Sequence, residues 1–203
     1  MAGDVALITG CSTGIGRATA LHLARRGYRV HATMRSPERA GAPLVQTAKD
    51  EGLALTVVPL DVMDAASCAK ALAEAGRIDV LVNNAGLGEL GAVEDLDDEQ
   101  VRRMFETNVF GPLRLMRAVL PGMRAAGRGA IVNVSSVAGR FCYGSGALYS
   151  GSKHALEAIS ECLALEVMQY GIRVAIIEPG FFDTPISTSR WLRWGRRTRR
   201  TRM

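Results

Sequence analysis

Six short aliphatic and β-branched runs, each followed by a longer or more polar stretch, set the narrowest limit on how this chain can fold. The runs are Val5–Thr9, Arg29–Thr33, Leu55–Pro59, Val80–Asn83, Ala130–Val134 and Arg173–Glu178. They are too uniformly apolar for strands with one wet face, and they read as strands buried on both faces. Helical patterns lie between them near Gly14–Arg26, Pro43–Glu51, Ala65–Ala75, Asp98–Leu120 and Tyr149–Tyr170. Strand–helix alternation of this kind predicts a parallel sheet covered by helices on both sides. Right-handed crossovers then make a doubly wound α/β sheet of about six strands the expected architecture. No internal repeat or linker divides the chain, so residues 1–186 are expected to form one domain.

The first strand runs into Thr9-Gly10-Cys11-Ser12-Thr13-Gly14-Ile15-Gly16 just where the first helix begins. A pyrophosphate needs backbone N–H groups at a helix N-terminus, and side chains would block its approach. Glycine permits both the turn and the contact. A glycine-rich turn is a weak signal alone. Following a strand and opening a βαβ unit, it reads as a dinucleotide site of Rossmann type, with Gly10, Ser12, Thr13, Gly14, Ile15 and Gly16 against the phosphates.

The spacing is GxxxGxG, and four further motifs accompany it in order. Asn83-Asn84-Ala85-Gly86 closes the fourth strand, and Asn108 lies in the long helix after it. Ser136 precedes Tyr149-x-x-x-Lys153 by thirteen positions, and Pro179-Gly180 with Thr184 follows the sixth strand. Together they resemble the short-chain dehydrogenase/reductase family over roughly residues 5–186. The stretches HATMR and PGFFDTPI resemble its 17β-hydroxysteroid and retinol dehydrogenase branch.

The resemblance implies a catalytic set of Asn108, Ser136, Tyr149 and Lys153. It also places Asn84, Ala85, Gly86, Tyr149, Lys153, Pro179, Gly180 and Thr184 at the cofactor. Tyr149 and Lys153 are four apart and share a helix face. A tyrosine that gives and takes a proton near neutrality is expected to titrate below its ordinary value, helped by a neighbouring ammonium. A three-unit shift requires about 4 kcal/mol. Ser136 would hydrogen-bond the substrate oxygen. In the family, the helix asparagine helps hold a water that relays protons to the lysine, a role implied for Asn108. His22, His31 and His154 are given no catalytic part, and no metal is expected.

An enzyme using NAD needs an acid after the second strand to accept bonds from the ribose 2′-hydroxyl. That position is Met34, and Arg35 follows. An arginine suits a 2′-phosphate, and Ser12 can add a hydroxyl, so NADP(H) is expected over NAD(H). Asp61 and Val62 resemble the family's adenine contacts, although Asp61 reads almost equally well as a cap for the next helix. Leu87, Phe141, Cys142, Tyr143, Phe181 and Phe182 are the candidate substrate wall. The expected substrate is a small hydrophobic ketone or secondary alcohol of steroid, retinoid or lipid type. The expected substrate contacts are Ser136, Phe141, Tyr143, Tyr149 and Phe181.

Charge is uneven. The chain carries a formal net charge of +5, but residues 187–203 hold seven arginines and no acid, which leaves −2 on the rest. The body is therefore not a nucleic-acid surface. The tail reads as a disordered extension. The four cysteines have no metal spacing and read as free thiols. No targeting segment or membrane span is discernible, so a cytoplasmic location is expected. Family members continue after the PG-x-x-x-T motif with a substrate-covering helix pair, a further helix and a seventh strand. Here the chain turns into WLRWGRRTRRTRM. The expectation is a truncated product that binds NADP(H) but turns over weakly or not at all. The alternative is a non-catalytic cofactor-binding module. A homodimer packed through Asp98–Leu120 and Tyr149–Tyr170 is expected.

Overall fold

In the computed structural model, which describes residues 3–180, the apolar runs become β1 (Val5–Ile8), β2 (Arg29–Met34), β3 (Leu55–Pro59), β4 (Val80–Asn83), β5 (Gly129–Val134) and β6 (Ile172–Ile177). All pair in parallel in the order β3-β2-β1-β4-β5-β6. This is a Rossmann-like doubly wound sheet. The order reverses between β1 and β4, and the crevice at their carboxyl ends is where such sheets bind ligands. Phe181, Phe182, Thr184 and the arginine-rich segment 187–203 lie outside the described residues.

Alternate side chains of each strand enter opposite layers. Ala6, Ile8, Val30 and Ala32 pack with Ala20 and Ala24 of α1 (Gly14–Arg25) and Leu44 of α3 (Ala42–Asp50), with the short α2 (Pro37–Ala40) before it. Val5, Leu7, Leu81 and Ile131 face the other way. They meet α4 (Ala65–Ala75), α6 (Gly111–Ala126) and α7 (Ala147–Val167) through residues such as Ala71, Leu115 and Leu163.

The stretch read as one helix, Asp98–Leu120, is different in the structure. It divides into α5 (Asp98–Phe105), a π turn (Glu106–Phe110) and α6. Pro112 explains the break. It has no N–H to give the Asn108 carbonyl four residues back, and in a regular helix its ring would strike that carbonyl. Gly111 is also required, because a Cβ there would sit 2.8 Å from Val62 Cβ. The helix before β4 begins at Asp64, whose side chain accepts from Ala66 N at 2.8 Å. Asp61 is therefore not its cap. Its Oδ1 accepts from Met63 N at 3.0 Å and shapes the turn after β3.

A ladder of buried amides ties the layers behind the crevice. Asn83 Nδ2 donates to Asn133 Oδ1 at 2.8 Å, and Asn133 Nδ2 donates to Ser160 Oγ of α7 at 2.8 Å. Buried polar groups are tolerated when they satisfy one another. This ladder sets the distance between the sheet and the helix that carries Tyr149 and Lys153.

Candidate active site

The turn after β1 and the loop after β4 are fastened by one hydroxyl. Thr9 Oγ1 accepts from both Asn84 N and Ala85 N at 2.9 Å. Asn84 Nδ2 returns the tie to the Thr9 carbonyl at 2.8 Å and the Gly10 carbonyl at 3.2 Å. Glycine is needed at two places here. Gly10 has φ +73°, and a Cβ there would meet Ala85 Cα at 2.8 Å. At Gly16 a Cβ would meet the Gly10 carbonyl oxygen at 2.5 Å. The Asn84 side chain is thus used within the protein, and Gly16 works by letting α1 approach the turn.

That approach exposes an unblocked helix end. Thr13 precedes α1 in extended conformation with no side-chain cap, and the first turn holds no acid. Uncapped N–H groups at the end of a three-turn helix suit an anion. Gly10, Ser12, Thr13, Gly14 and Ile15 line one side of the crevice, with Asn84, Ala85 and Gly86 across from them. Arg35, Asp61 and Val62 line the same cleft. Met34, at the position where an acid would stand, is buried.

At the other end of the same cleft lie Ser136, Tyr149 and Lys153, joined by Pro179 and Gly180. Ser136 lies near enough to the Tyr149 phenol to draw its titration downward. The Ser136 Oγ also accepts from Ala138 N at 3.2 Å, which holds it at the start of the 3-10 turn Val137–Gly139. Lys153 is 5% exposed, its Nζ donates to the Val134 carbonyl at 2.8 Å, and it lies 5.8 Å from the centre of the Tyr149 ring. Burial takes the Lys153 ammonium down to about 8, against an upward pull from Glu157.

The expected lowering of Tyr149 is not what the protein groups produce. Burial pushes the phenol up, and Ser136 only partly offsets it. The physical reason is that the lysine donor is directed at a backbone carbonyl, so the phenolate gains no direct bond from it while losing water.

Asn108 lies behind the wall, 1% exposed, and its amide is fully engaged. Its Oδ1 accepts from Leu87 N at 2.8 Å, and its Nδ2 donates to the Leu87 carbonyl at 2.9 Å and to Ser152 Oγ at 3.0 Å. Ser152 Oγ in turn donates to the Tyr149 carbonyl at 2.7 Å. The Asn108 side chain is therefore a tie between the loop after β4 and the first turn of α7, and is not left over for a water. The sequence held a signal for this turn, since Pro112 follows Asn108 by four.

Phe141, Tyr143 and Leu87 reach the cleft, where Leu90 and Val137 extend the apolar wall. Phe141 and Tyr143 stand 6.3 Å apart, ring centre to ring centre. Cys142 points away and is exposed. One charged side chain also enters this cleft. Glu89 lines the cleft with Oε1 2.6 Å from Arg103. His154 is on the outer side of α7, its Nδ1 2.9 Å from the Ser150 carbonyl. Among the described residues no group of His, Cys, Asp or Glu is placed to hold a metal ion, and no helix is long and apolar enough to cross a membrane.

The family model for short chain dehydrogenase matches residues 4–193. The chain is 39% identical over 192 residues to 3-ketodihydrosphingosine reductase of Bacteroides thetaiotaomicron, covering 92% of this chain and 67% of that one. It is 43% identical over 181 residues to bovine retinol dehydrogenase 8, covering 86% of this chain and 57% of that protein. A gluconate 5-dehydrogenase of Burkholderia cenocepacia, solved in complex with NADP and tartrate, superposes with a TM-score of 0.85 at 30% identity. That match covers 93% of this chain and 75% of the other. With this fold, the uncapped α1 above a glycine turn and the Ser136–Tyr149–Lys153 end of the crevice, the chain belongs to the short chain dehydrogenase family.

Proposed function

We propose that the protein is an NADP(H)-dependent oxidoreductase that interconverts a hydrophobic ketone and its secondary alcohol. The observation that carries this is the single crevice joining an uncapped helix N-terminus to Ser136, Tyr149 and Lys153. When bound, the dinucleotide supplies or accepts the hydride, and its oxidised ring adds a positive charge beside the phenol. The remaining steps belong to the chain. In reduction, Ser136 donates a hydrogen bond to the substrate oxygen, and the neutral Tyr149 phenol gives that oxygen its proton. In oxidation, Tyr149 takes the proton back. Lys153 contributes charge and a donor near the ring. The Asn108 carbonyl, which Pro112 cannot satisfy with an N–H, is the group that would meet a relay water.

Several features support NADP(H). Arg35 stands beside the cleft with no carboxylate at position 34, and Ser12 lies on the opposing turn. An arginine there can bind a 2′-phosphate in a charge-assisted, two-pronged way. The wall of Leu87, Leu90, Val137, Phe141 and Tyr143 favours a lipid-like substrate. Two of the relatives, a 3-ketodihydrosphingosine reductase and a retinol dehydrogenase, point the same way. Glu89, paired with Arg103, marks the polar rim. A homodimer belongs to the same reading, because α6 and α7 leave an apolar groove lined by Leu113, Leu120, Ile159 and Leu163. Four free cysteines fit a cytoplasmic setting.

The test is NADPH oxidation with hydrophobic ketones, in the full chain and its Tyr149→Phe variant. Turnover lost with the NADPH dissociation constant unchanged is the expected result. Variant turnover equal to the parent's refutes the proton-transfer role. A parent chain that binds NADPH without turnover supports the non-catalytic binding module instead.

A further inference from the structure

Lys153 and Glu157 lie one helical turn apart on α7, both buried, at 5% and 4% exposure. Residues so spaced share a face. Among the described residues neither Glu157 carboxylate oxygen has a hydrogen-bond donor. Its charge partner is Arg140, whose Nη2 lies 3.5 Å from Oε2. The carboxylate fits behind the Ser136 turn only because Gly139 has no side chain. A Cβ there would stand 2.9 Å from Glu157 Oε1 and 2.8 Å from Ser135 Oγ, a buried hydroxyl that also has no partner. Arg140 meanwhile binds Glu161 at 3.2 Å and Glu178, at the end of β6, at 2.9 Å.

A buried carboxylate given so few donors is a poor stabiliser, and apolar side chains of equal size fill such places at less cost. Its placement is better explained by what it does to its neighbour. The charged or titratable groups around Lys153 are Tyr149 and Glu157 of α7, with Tyr143 and Glu89 lining the same cleft; Arg140, just past the 3-10 turn, joins through Glu157, and Glu178, just past β6, joins through Arg140. The π turn presents the uncharged Thr107 and Asn108. Of these, Glu157 is the group that draws the Lys153 ammonium back up against the effect of burial.

We infer that Glu157, held in its slot by Gly139 and Arg140, is a positioning residue that keeps the Lys153 side chain charged beside the Tyr149 ring. The inference rests on the catalytic reading of Tyr149 and Lys153 given above. It extends that reading to Arg140, which couples the serine turn, α7 and the strand leading to Pro179.

The chain has three lysines, Lys49, Lys70 and Lys153, and the first two are exposed. NMR of protein labelled at lysine 13Cε therefore resolves the Lys153 titration directly, with no cofactor or turnover needed. The expected Lys153 midpoint is near 8 in the parent. It should fall by about one unit in Glu157→Gln and by about half a unit in Glu157→Asp, as the charge is removed or withdrawn. The high-pH limb of kcat/KM should move by the same amounts. A merely structural role would lower melting temperature or activity at every pH and leave the midpoint in place. A Lys153 midpoint within about 0.3 units of the parent in Glu157→Gln overturns the inference. Should Glu157→Gln fail to fold, an unmoved midpoint in Glu157→Asp overturns it equally. If Tyr149→Phe retains turnover, the catalytic reading fails while the titration still decides the role of Glu157. If Tyr149→Phe is inactive and the midpoint is unmoved, only this inference falls.

Discussion

Thr9→Val removes one oxygen and leaves the shape of the side chain nearly unchanged. Thr9 is 1% exposed, and its Oγ1 is the acceptor for two backbone N–H groups, Asn84 N and Ala85 N, both at 2.9 Å. A valine methyl strands both donors in a crowded turn from which water is largely excluded. Each unmade bond costs about 1–3 kcal/mol, so the pair is expected to cost about 2–5 kcal/mol. That is a large part of the 5–15 kcal/mol typical of a domain. Thr9→Ser is the control, because it keeps the acceptor and loses one buried methyl, at about 1 kcal/mol. Urea unfolding at 25 °C, followed by circular dichroism, measures both. With a slope of about 1–3 kcal/mol/M, the Val midpoint should fall by about 1–2 M at unchanged slope. The NADPH dissociation constant should also rise, since the Asn84–Gly86 loop would no longer be fastened to the glycine turn. A Val variant as stable as the parent, or a Ser variant less stable than the Val one, refutes the reasoning.

Lys153→Met should abolish turnover while raising the melting temperature at pH 7. The folded ammonium titrates near 8 against 10.5 ordinarily, so the unfolded chain holds that proton more tightly. The cost is fully present below pH 8 and fades towards pH 10.5. The variant's advantage, about 1–3 kcal/mol at neutral pH after loss of the Val134 bond, should shrink across that window. Unfolding curves at pH 7 and 10 check it. Gly16→Ala should destabilise by about 1–3 kcal/mol by driving α1 off the Gly10 carbonyl, as read by urea midpoint. It should weaken NADPH binding as well. Arg35→Ala should raise the NADPH dissociation constant roughly 10- to 100-fold and leave NADH nearly unchanged, as titrated by cofactor fluorescence. Equal loss for both cofactors would remove Arg35 from 2′-phosphate recognition.

Much of the site was readable because its signals are local. Tyr149 and Lys153 meet through helix periodicity alone. Gly10, Gly14 and Gly16 mark a strand-to-helix turn through a backbone requirement that sits within eight residues. Asp61 shows how far such reasoning extends. A capping acid near the start of α4 was expected, but which of two acids three positions apart caps the helix depends on where the turn after β3 leaves the backbone. The π turn lay between the two cases. Asp98–Leu120 read as one helix; Pro112 explains locally why it breaks, but the use of that break, seating Asn108 between Leu87 and Ser152, needed both partners in place.

The sequence alone determined the six strands and most of the helices, and with them the parallel, doubly covered sheet. Apolar runs bounded by small residues have few other ways to bury both faces. It also determined the chemical inventory of the cleft, since backbone turns and residues on one helix face depend on near neighbours. Tertiary structure decided the rest. It brought β1 beside β4 so that Thr9 could hold a loop more than seventy residues away. It gave the Asn84 and Asn108 amides to the protein itself, placed Glu89 in the cleft, and set Glu157 behind the serine turn. It also reversed the expected direction for Tyr149, because an ionisation equilibrium answers to burial and to the aim of every nearby donor. Those are sums over contacts distant in the chain, and no short-range pattern carries them.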